Sequence, residues 1–203
     1  MLPPKAILAF DTSAAHCAAA LLSGGRAFLK SEAMDKGQAE RLMPLLHELL
    51  AEGGIGWHDL AAIGVGTGPG NFTGVRISVA AARGLALGLG IPAIGVTRLE
   101  ALAHGLPRPL TVAEDARRDE VYLQTFTADG PGPATLAPAS ALPAGALTGS
   151  AAPGGLPAAM PLAQAIAEIA AARLGTDQPR PAPFYLRGAD AAPPSDPPPV
   201  ILP

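Results

Sequence analysis

Cysteine is nearly missing from this 203-residue chain, with Cys17 standing alone. Neither an intrachain disulfide nor a cysteine-built zinc site can form, and a reducing compartment suits the composition. Aromatic residues are scarce, at 4%, and the net charge is only −3. That balance sets up no long-range attraction to nucleic acid or to an anionic membrane, which argues against a stand-alone RNA-binding module. The opening Met1-Leu2-Pro3-Pro4-Lys5 lacks a basic region followed by an apolar run and a small-residue cleavage site, so no secretion signal is expected. The apolar run from Gly84 to Thr97 falls short of the roughly 18 residues that span a bilayer and contains Pro92. No membrane span is expected, and the expected location is cytoplasmic. His16, His47, His58 and His104 have no partner histidine at metal-ligand spacing, so no metal site is expected.

What is abundant is apolar and small: 49% hydrophobic residues, with 24 glycines and 23 prolines. Such a chain can bury one ordinary core or two small lobes. Ala6 to Phe10 predicts a buried strand that delivers Asp11-Thr12-Ser13 to its C-terminal end, and Ala18–Leu22, Gly24-Gly25 and Arg26–Glu32 predict a strand and hairpin. Gln38 to Glu52 places Ala39, Leu42, Met43, Leu46, Leu49 and Leu50 on one helical face, with Pro44 expected to kink it. Ala61–Gly66 predicts a strand, Thr67–Asn71 a glycine-rich loop and Phe72–Leu89 a helix. Ile91–Val96, Leu110–Ala113 and Val121–Thr127 predict further strands, with a short helix over Thr97–His104. A short strand at Ala146–Gly149 and a helix over Leu162–Arg173 complete the pattern, and 191–203 reads as a proline-rich tail.

A hairpin followed by alternating helices and strands describes an α/β layer with a mixed sheet, the order in which ribonuclease-H-like, actin-type lobes are built. Ligands in open α/β sheets sit beyond the carboxyl ends of the strands, where Asp11 and the glycine loop both fall. Gly66–Asn71 leading into a helix presents backbone N–H groups suited to phosphate or carboxylate. It fits neither standard phosphate fingerprint, because no Lys-Ser/Thr follows at P-loop spacing and Asn71 replaces the third dinucleotide glycine. A tight turn that needs glycine for its backbone conformation is the competing reading. Arg76, in the first helical turn, opposes the helix dipole and should be tethered to an acid or an anion. Gly74, Ser78, Ala82 and Ala86 recur every four residues as a smooth face. Glu114 to Glu120 alternates in sign and reads as a solvated hairpin tip, with Asp115 the sole acid placed for catalysis.

Several segments taken together resemble the bacterial TsaB (YeaZ) family. They are Ile7-Leu8-Ala9-Phe10-Asp11-Thr12-Ser13, Glu40 to Leu46, the Gly-Pro-Gly-x-Phe-Thr-Gly-x-Arg core of Gly68 to Arg76, Gly84 to Val96, Asp115-Ala116-Arg117 with Glu120-Val121-Tyr122, and Tyr185-Leu186-Arg187. The likeness runs from the N-terminus to about Thr125 and returns at Tyr185. It implies an actin-like ATPase (ASKHA) fold of two lobes with a reduced C-terminal one, expected as 1–105, 106–190 and the 191–203 tail.

The same resemblance implies a non-catalytic subunit that binds and stabilises TsaD, the transferase that installs threonylcarbamoyl on the adenosine beside the tRNA anticodon. Further partners are TsaE and tRNA through the complex, with a homodimer when the chain is alone. The implied interface comprises the helices of Gln38–Glu52 and Phe72–Leu89, with Leu42, Leu46, Leu49, Arg76, Val79 and Arg83 as its expected residues. No cofactor is obligatory. ATP or ADP with magnesium at a site shared with TsaD would involve Asp11, Thr12, Ser13, Gly68 and Gly70. Where TsaD carries metal-binding histidines, this chain has Arg98 and Leu102, which offer no lone pair to a metal. The rival reading is an active phosphotransferase or metal-dependent hydrolase of the same fold.

Overall fold

The computed structural model describes residues 6–187; the 191–203 tail lies outside them. Strands β1 (Ala6–Asp11), β2 (His16–Ser23), β3 (Arg26–Ala33), β4 (Leu60–Gly66) and β5 (Ala93–Val96) form one sheet in the order β3-β2-β1-β4-β5. Pairs β1/β2 and β2/β3 are antiparallel, whereas β1/β4 and β4/β5 are parallel. The expected hairpin is present, turning on Gly24 and Gly25 with φ of 58° and 75°. Such left-handed values suit glycine.

The sheet is covered on both faces, which is why every residue of β1 is buried. On one face Leu8, Phe10, Ala19 and Leu21 pack against helices α1 (Gln38–Gly53) and α2 (Phe72–Leu89). The inner stripe of α1 is Leu42, Leu45, Leu46, Leu49 and Leu50. Met43, expected in that stripe, is exposed and Leu45 takes its place, while Pro44 lies within the helix on the solvent side.

The other face is lined by Ile7, Ala9, Ala18, Ala20 and Ala62, and α4 (Leu162–Ala172) lies on it with Ala163, Ile166, Ala167 and Ala170. Small residues on both sides allow close approach: a Cβ added at Gly64 would stand 3.0 Å from those of Ala9 and Ala170. Helix α4 thus comes from the 106–190 segment yet packs on the first sheet.

The second sheet contains β6 (Leu110–Asp115), β7 (Glu120–Thr127), β8 (Gly130–Pro131), β9 (Thr135–Pro138) and β10 (Leu147–Thr148) in the order β10-β6-β7-β8, with β9 paired to β7. Helix α3 (Arg98–Ala103) sends Leu99 and Ala103 into its core beside Leu110, Val112 and Phe126. By length and composition α2 is the one helix among the described residues that could cross a membrane, with a mean hydropathy of 1.3 over 18 residues. Its sequence is apolar on every side, yet only one side meets the sheet.

Candidate functional site

At the carboxyl ends of β1 and β4, the chain spends its polar groups on itself. Thr12 and Ser13 are buried; the Thr12 hydroxyl donates to the Gly74 carbonyl at 2.6 Å, and the Asn71 N–H donates to the Ser13 carbonyl at 2.6 Å. Thr67 N–H donates to Val96 O, Phe184 N–H to Thr67 O and Arg98 N–H to Gly68 O. A Cβ at Gly70 would collide with the Ser13 carbonyl oxygen, and one at Gly74 with that of Thr12. These glycines therefore permit close contact between the loop and the end of β1. Where the sequence offers either a phosphate cradle or a tight glycine turn, backbone of the Ser13 and Thr12 segment lies directly against Gly70 and Gly74.

Asp11 is wholly buried. One carboxylate oxygen, Oδ1, accepts from Ser13 N (3.0 Å) and Oγ (2.9 Å) and pairs with His16 Nε2 at 2.8 Å. Its Oδ2 has no hydrogen-bond partner among the described residues and lies against Gly66, where any Cβ would strike it. Burial pushes the Asp11 pKa up, but the His16 hydrogen bond, the charges of Arg98 and His16, and the Ser13 N–H outweigh it, so the carboxyl titrates below its ordinary value.

Arg98 begins α3 and reaches the second sheet, donating from Nε to Glu114 Oε2 at 2.5 Å. Glu114 is itself buried and accepts from Ser150 N at 2.6 Å. Arg173 of the segment after α4 pairs with Glu100, and His104 with Glu168 at 3.0 Å. Helix α3 and the residue after it thus tie the first sheet's neighbourhood to the second sheet and to α4. Among the described residues no group of three His, Cys, Asp or Glu side chains stands close enough to hold a metal ion. Asp115 is exposed and its Oδ1 accepts from Arg117 N–H, stabilising a turn in which Arg117, Arg118 and Asp119 all have positive φ.

The outward side of α2 contrasts with this closed region. Leu87 is 81% exposed and Phe72 46%, and Ala80, Gly84 and Gly88 are exposed between them. Tyr185 stacks on Phe72 with ring centroids 5.1 Å apart. Arg76 lies 3.7 Å from the Phe72 centroid and donates from Nε to the Tyr185 hydroxyl at 3.0 Å. Within the chain its tether is therefore an aromatic pair, where the helix dipole led to the expectation of an acid or an anion. Two grooves of about 830 and 460 Å³ flank this side and share Arg83, Leu87 and Arg180. Arg83 and Arg180 make no hydrogen bond or ion pair among the described residues.

Of the six expected interface residues, only Arg76 and Arg83 have side chains at the surface. Leu42, Leu46, Leu49 and Val79 are 0–3% exposed, sealed between the helices and the chain's own sheet. The Gly74/Ser78/Ala82/Ala86 stripe is the inner face as well, with the Ser78 hydroxyl donating to Gly66 O at 3.1 Å. The periodicity of α2 could not separate its faces, since apolar residues surround the axis. Arg180 and the exposure of Leu87 carry no local signal in the sequence, whereas Phe72 and Tyr185 lie within the segments that carry the family resemblance. Arg187 donates to the Ala116 carbonyl at 2.8 Å and pairs with Glu120 at 2.6 Å, so the distant motif segments meet in space.

Residues 32–191 match the family model described as "TsaD: tRNA N6-adenosine threonylcarbamoyltransferase". The chain is 38% identical over 128 residues to the Escherichia coli "tRNA threonylcarbamoyladenosine biosynthesis protein TsaB", covering 61% of this chain and 55% of that protein. An uncharacterized protein of Mycobacterium bovis is 39% identical over 167 residues, covering 78% and 79%. Among solved structures, YeaZ from Pseudomonas aeruginosa superposes with a TM-score of 0.64 at 34% identity, covering 72% of this chain and 75% of that one. A crystal structure of "an uncharacterized protein with similarity to peptidase YEAZ from Pseudomonas aeruginosa" gives 0.74 at 30%, covering 91% and 100%. The chain spans about half the length of the curated TsaB relatives it matches, 55% and 51%. Sheet order, flanking helices and these likenesses define an α/β protein of the actin-like ATPase (ASKHA) class. Within that class the chain belongs to the TsaB/YeaZ family.

Proposed function

We propose that this chain is a non-catalytic partner subunit of a TsaD-type threonylcarbamoyltransferase and acts in tRNA threonylcarbamoyladenosine biosynthesis by binding and stabilising that enzyme. The observation that carries the reading is the exposed apolar side of α2, with Leu87 at 81%. A large apolar side chain held open to water on a rigid, sheet-backed helix is what a docking partner covers. Arg98 supports the non-catalytic part, because its guanidinium is committed to Glu114 where a metal-using relative would present a histidine. TsaE and tRNA join through the assembled complex in the cytoplasm. Any ATP or ADP with magnesium at the shared boundary is held chiefly by the partner, since Thr12 and Ser13 are spent within this chain.

Threonylcarbamoylation of tRNA by the purified TsaD-type enzyme and TsaE, measured with and without the chain, tests the proposal. Product should form only when the chain is present. Equal product in its absence would contradict the partner role, and sustained ATP hydrolysis by the chain alone would favour the phosphotransferase or hydrolase reading.

A further inference from the structure

The two edges of the first sheet are finished differently. At β5 the segment after α4 closes the edge: Arg173 donates from Nη1 to the Gly95 carbonyl at 3.2 Å, and Pro181 lies 3.6 Å from the place of a Cβ on Gly95. At β3 no strand, among the described residues, pairs with the outer side. This edge is long, with eight residues in unbroken register against β2, and it contains neither proline nor a bulge. A two-residue hairpin loop is closed by a hydrogen-bonded pair, here Ser23 and Arg26, and at the far end Met34 N–H donates to Ala15 O. Even-numbered residues of β3 therefore bond to β2. Ala27, Leu29, Ser31 and Ala33, all exposed, turn their N–H and C=O groups to the open edge. Lys30 and Glu32 do not guard it, because both are turned to α1, Lys30 to Glu48 and Glu52 and Glu32 to Arg41.

We infer that this edge pairs antiparallel with the same edge of a second copy of the chain, joining the first sheets of both into one continuous sheet. Charge sets the register. With the two-fold axis at Leu29, Leu29 stands opposite Leu29, Ala27 opposite Ser31, and Arg26 opposite Glu32 of the other copy, twice over. The backbone groups left open on one edge then meet those of the other. Moving the axis to Lys30 would set lysine against lysine, and moving it to Phe28 would set Arg26 against Lys30; like charges directly opposite disfavour pairing. Leu29 is 41% exposed, and beside it Ala18, Ser31, Leu162 and Ala163 line a groove of about 390 Å³ that gives the other copy's Leu29 an apolar seat. The inference does not rest on the partner-subunit reading, and the pairing leaves the outward side of α2 uncovered.

Sedimentation of the full chain carrying Leu87→Glu, which removes the apolar anchor of the α2 face, tests the pairing. This protein should form dimers whose fraction rises with concentration. Adding Leu29→Lys, which places like charges on the axis while keeping every backbone bond to β2, should raise the dissociation constant about 100-fold. On the same background Arg26→Glu or Glu32→Arg alone should each raise it about tenfold. An equal mixture of those two should recover the original value to within about threefold, because each glutamate then faces an arginine. Mixing cannot rescue a misfolded variant, so recovery reads the register itself. A monomer at every concentration, or a dimer indifferent to Leu29→Lys, would overturn the inference. So would charge variants that dimerise as before, or that stay weak when mixed. Binding to the TsaD-type subunit should be unaltered by Leu29→Lys, so either reading can fail alone.

Discussion

Along α2, the side turned to the sheet carries Gly74, Val75, Ser78, Val79, Ala82 and Ala86, all buried, whereas the outward side carries Phe72, Ala80, Gly84, Leu87 and Gly88, all exposed. Both sides are built from small and apolar residues, so composition alone does not distinguish them. The inner side uses its small residues to bring backbone against backbone: Gly74 admits the Thr12 carbonyl and Ser78 reaches Gly66. The outer side leaves the same kind of space empty. One helix thus seals its inner side against the ends of β1 and β4 and leaves its outer side open to solvent.

The largest expected effect separates two glutamates. Val79→Glu puts an unpaired carboxylate into the chain's own core and should lower stability by about 3–4 kcal/mol in urea unfolding. Leu87→Glu should change it by no more than about 0.5 kcal/mol. Similar losses for the two would erase the distinction between the faces. Glycine to alanine makes the same comparison with opposite signs. Gly74→Ala drives a Cβ into the Thr12 carbonyl and should cost about 2–3 kcal/mol, while Gly84→Ala should raise stability by about 0.5–1 kcal/mol. A stability gain in Gly74→Ala would contradict the sealed loop.

Acid sharpens the picture of the inner region. Because the folded pKa of Asp11 is depressed, its contribution is present above the unfolded value and disappears as pH falls through the folded one. His16→Asn removes the largest lowering influence, raises the folded pKa and should move acid unfolding upward by roughly half a pH unit, followed by circular dichroism. A midpoint unchanged by the substitution would show that the pair does not stabilise the fold. The smallest effect concerns Cys17, whose thiol is pushed up to about 11, chiefly by burial and further by the charge of Glu32. It should resist a disulfide reagent at neutral pH in the native protein and react promptly in urea, and native reaction at the rate of a free thiol would contradict its burial.

Most of the first sheet could be read from the sequence because β1 and β4 are continuous apolar runs and the Gly24-Gly25 hairpin has its own turn chemistry. The ends of the glycine loop and the helices around it were legible for the same reason. What escaped were relations between distant residues. The alanines of α4 carry no mark that directs them to the first sheet, and Arg98–Glu114 and Phe72–Tyr185 are joined only by folding. The burial of Val79 against the chain's own sheet has little signal in the sequence, because apolar residues occur on every side of this helix. The recurring small residues of Gly74, Ser78, Ala82 and Ala86 were visible; whether they faced the sheet or a partner was not.

The most direct test is hydrogen exchange along α2 with and without the TsaD-type subunit. Binding should slow exchange over residues 80–90 and 180–186 while leaving 66–74, already tied to Thr12 and Ser13, unchanged. Protection confined to the β3 edge, with α2 exchanging as in the free chain, would contradict the account.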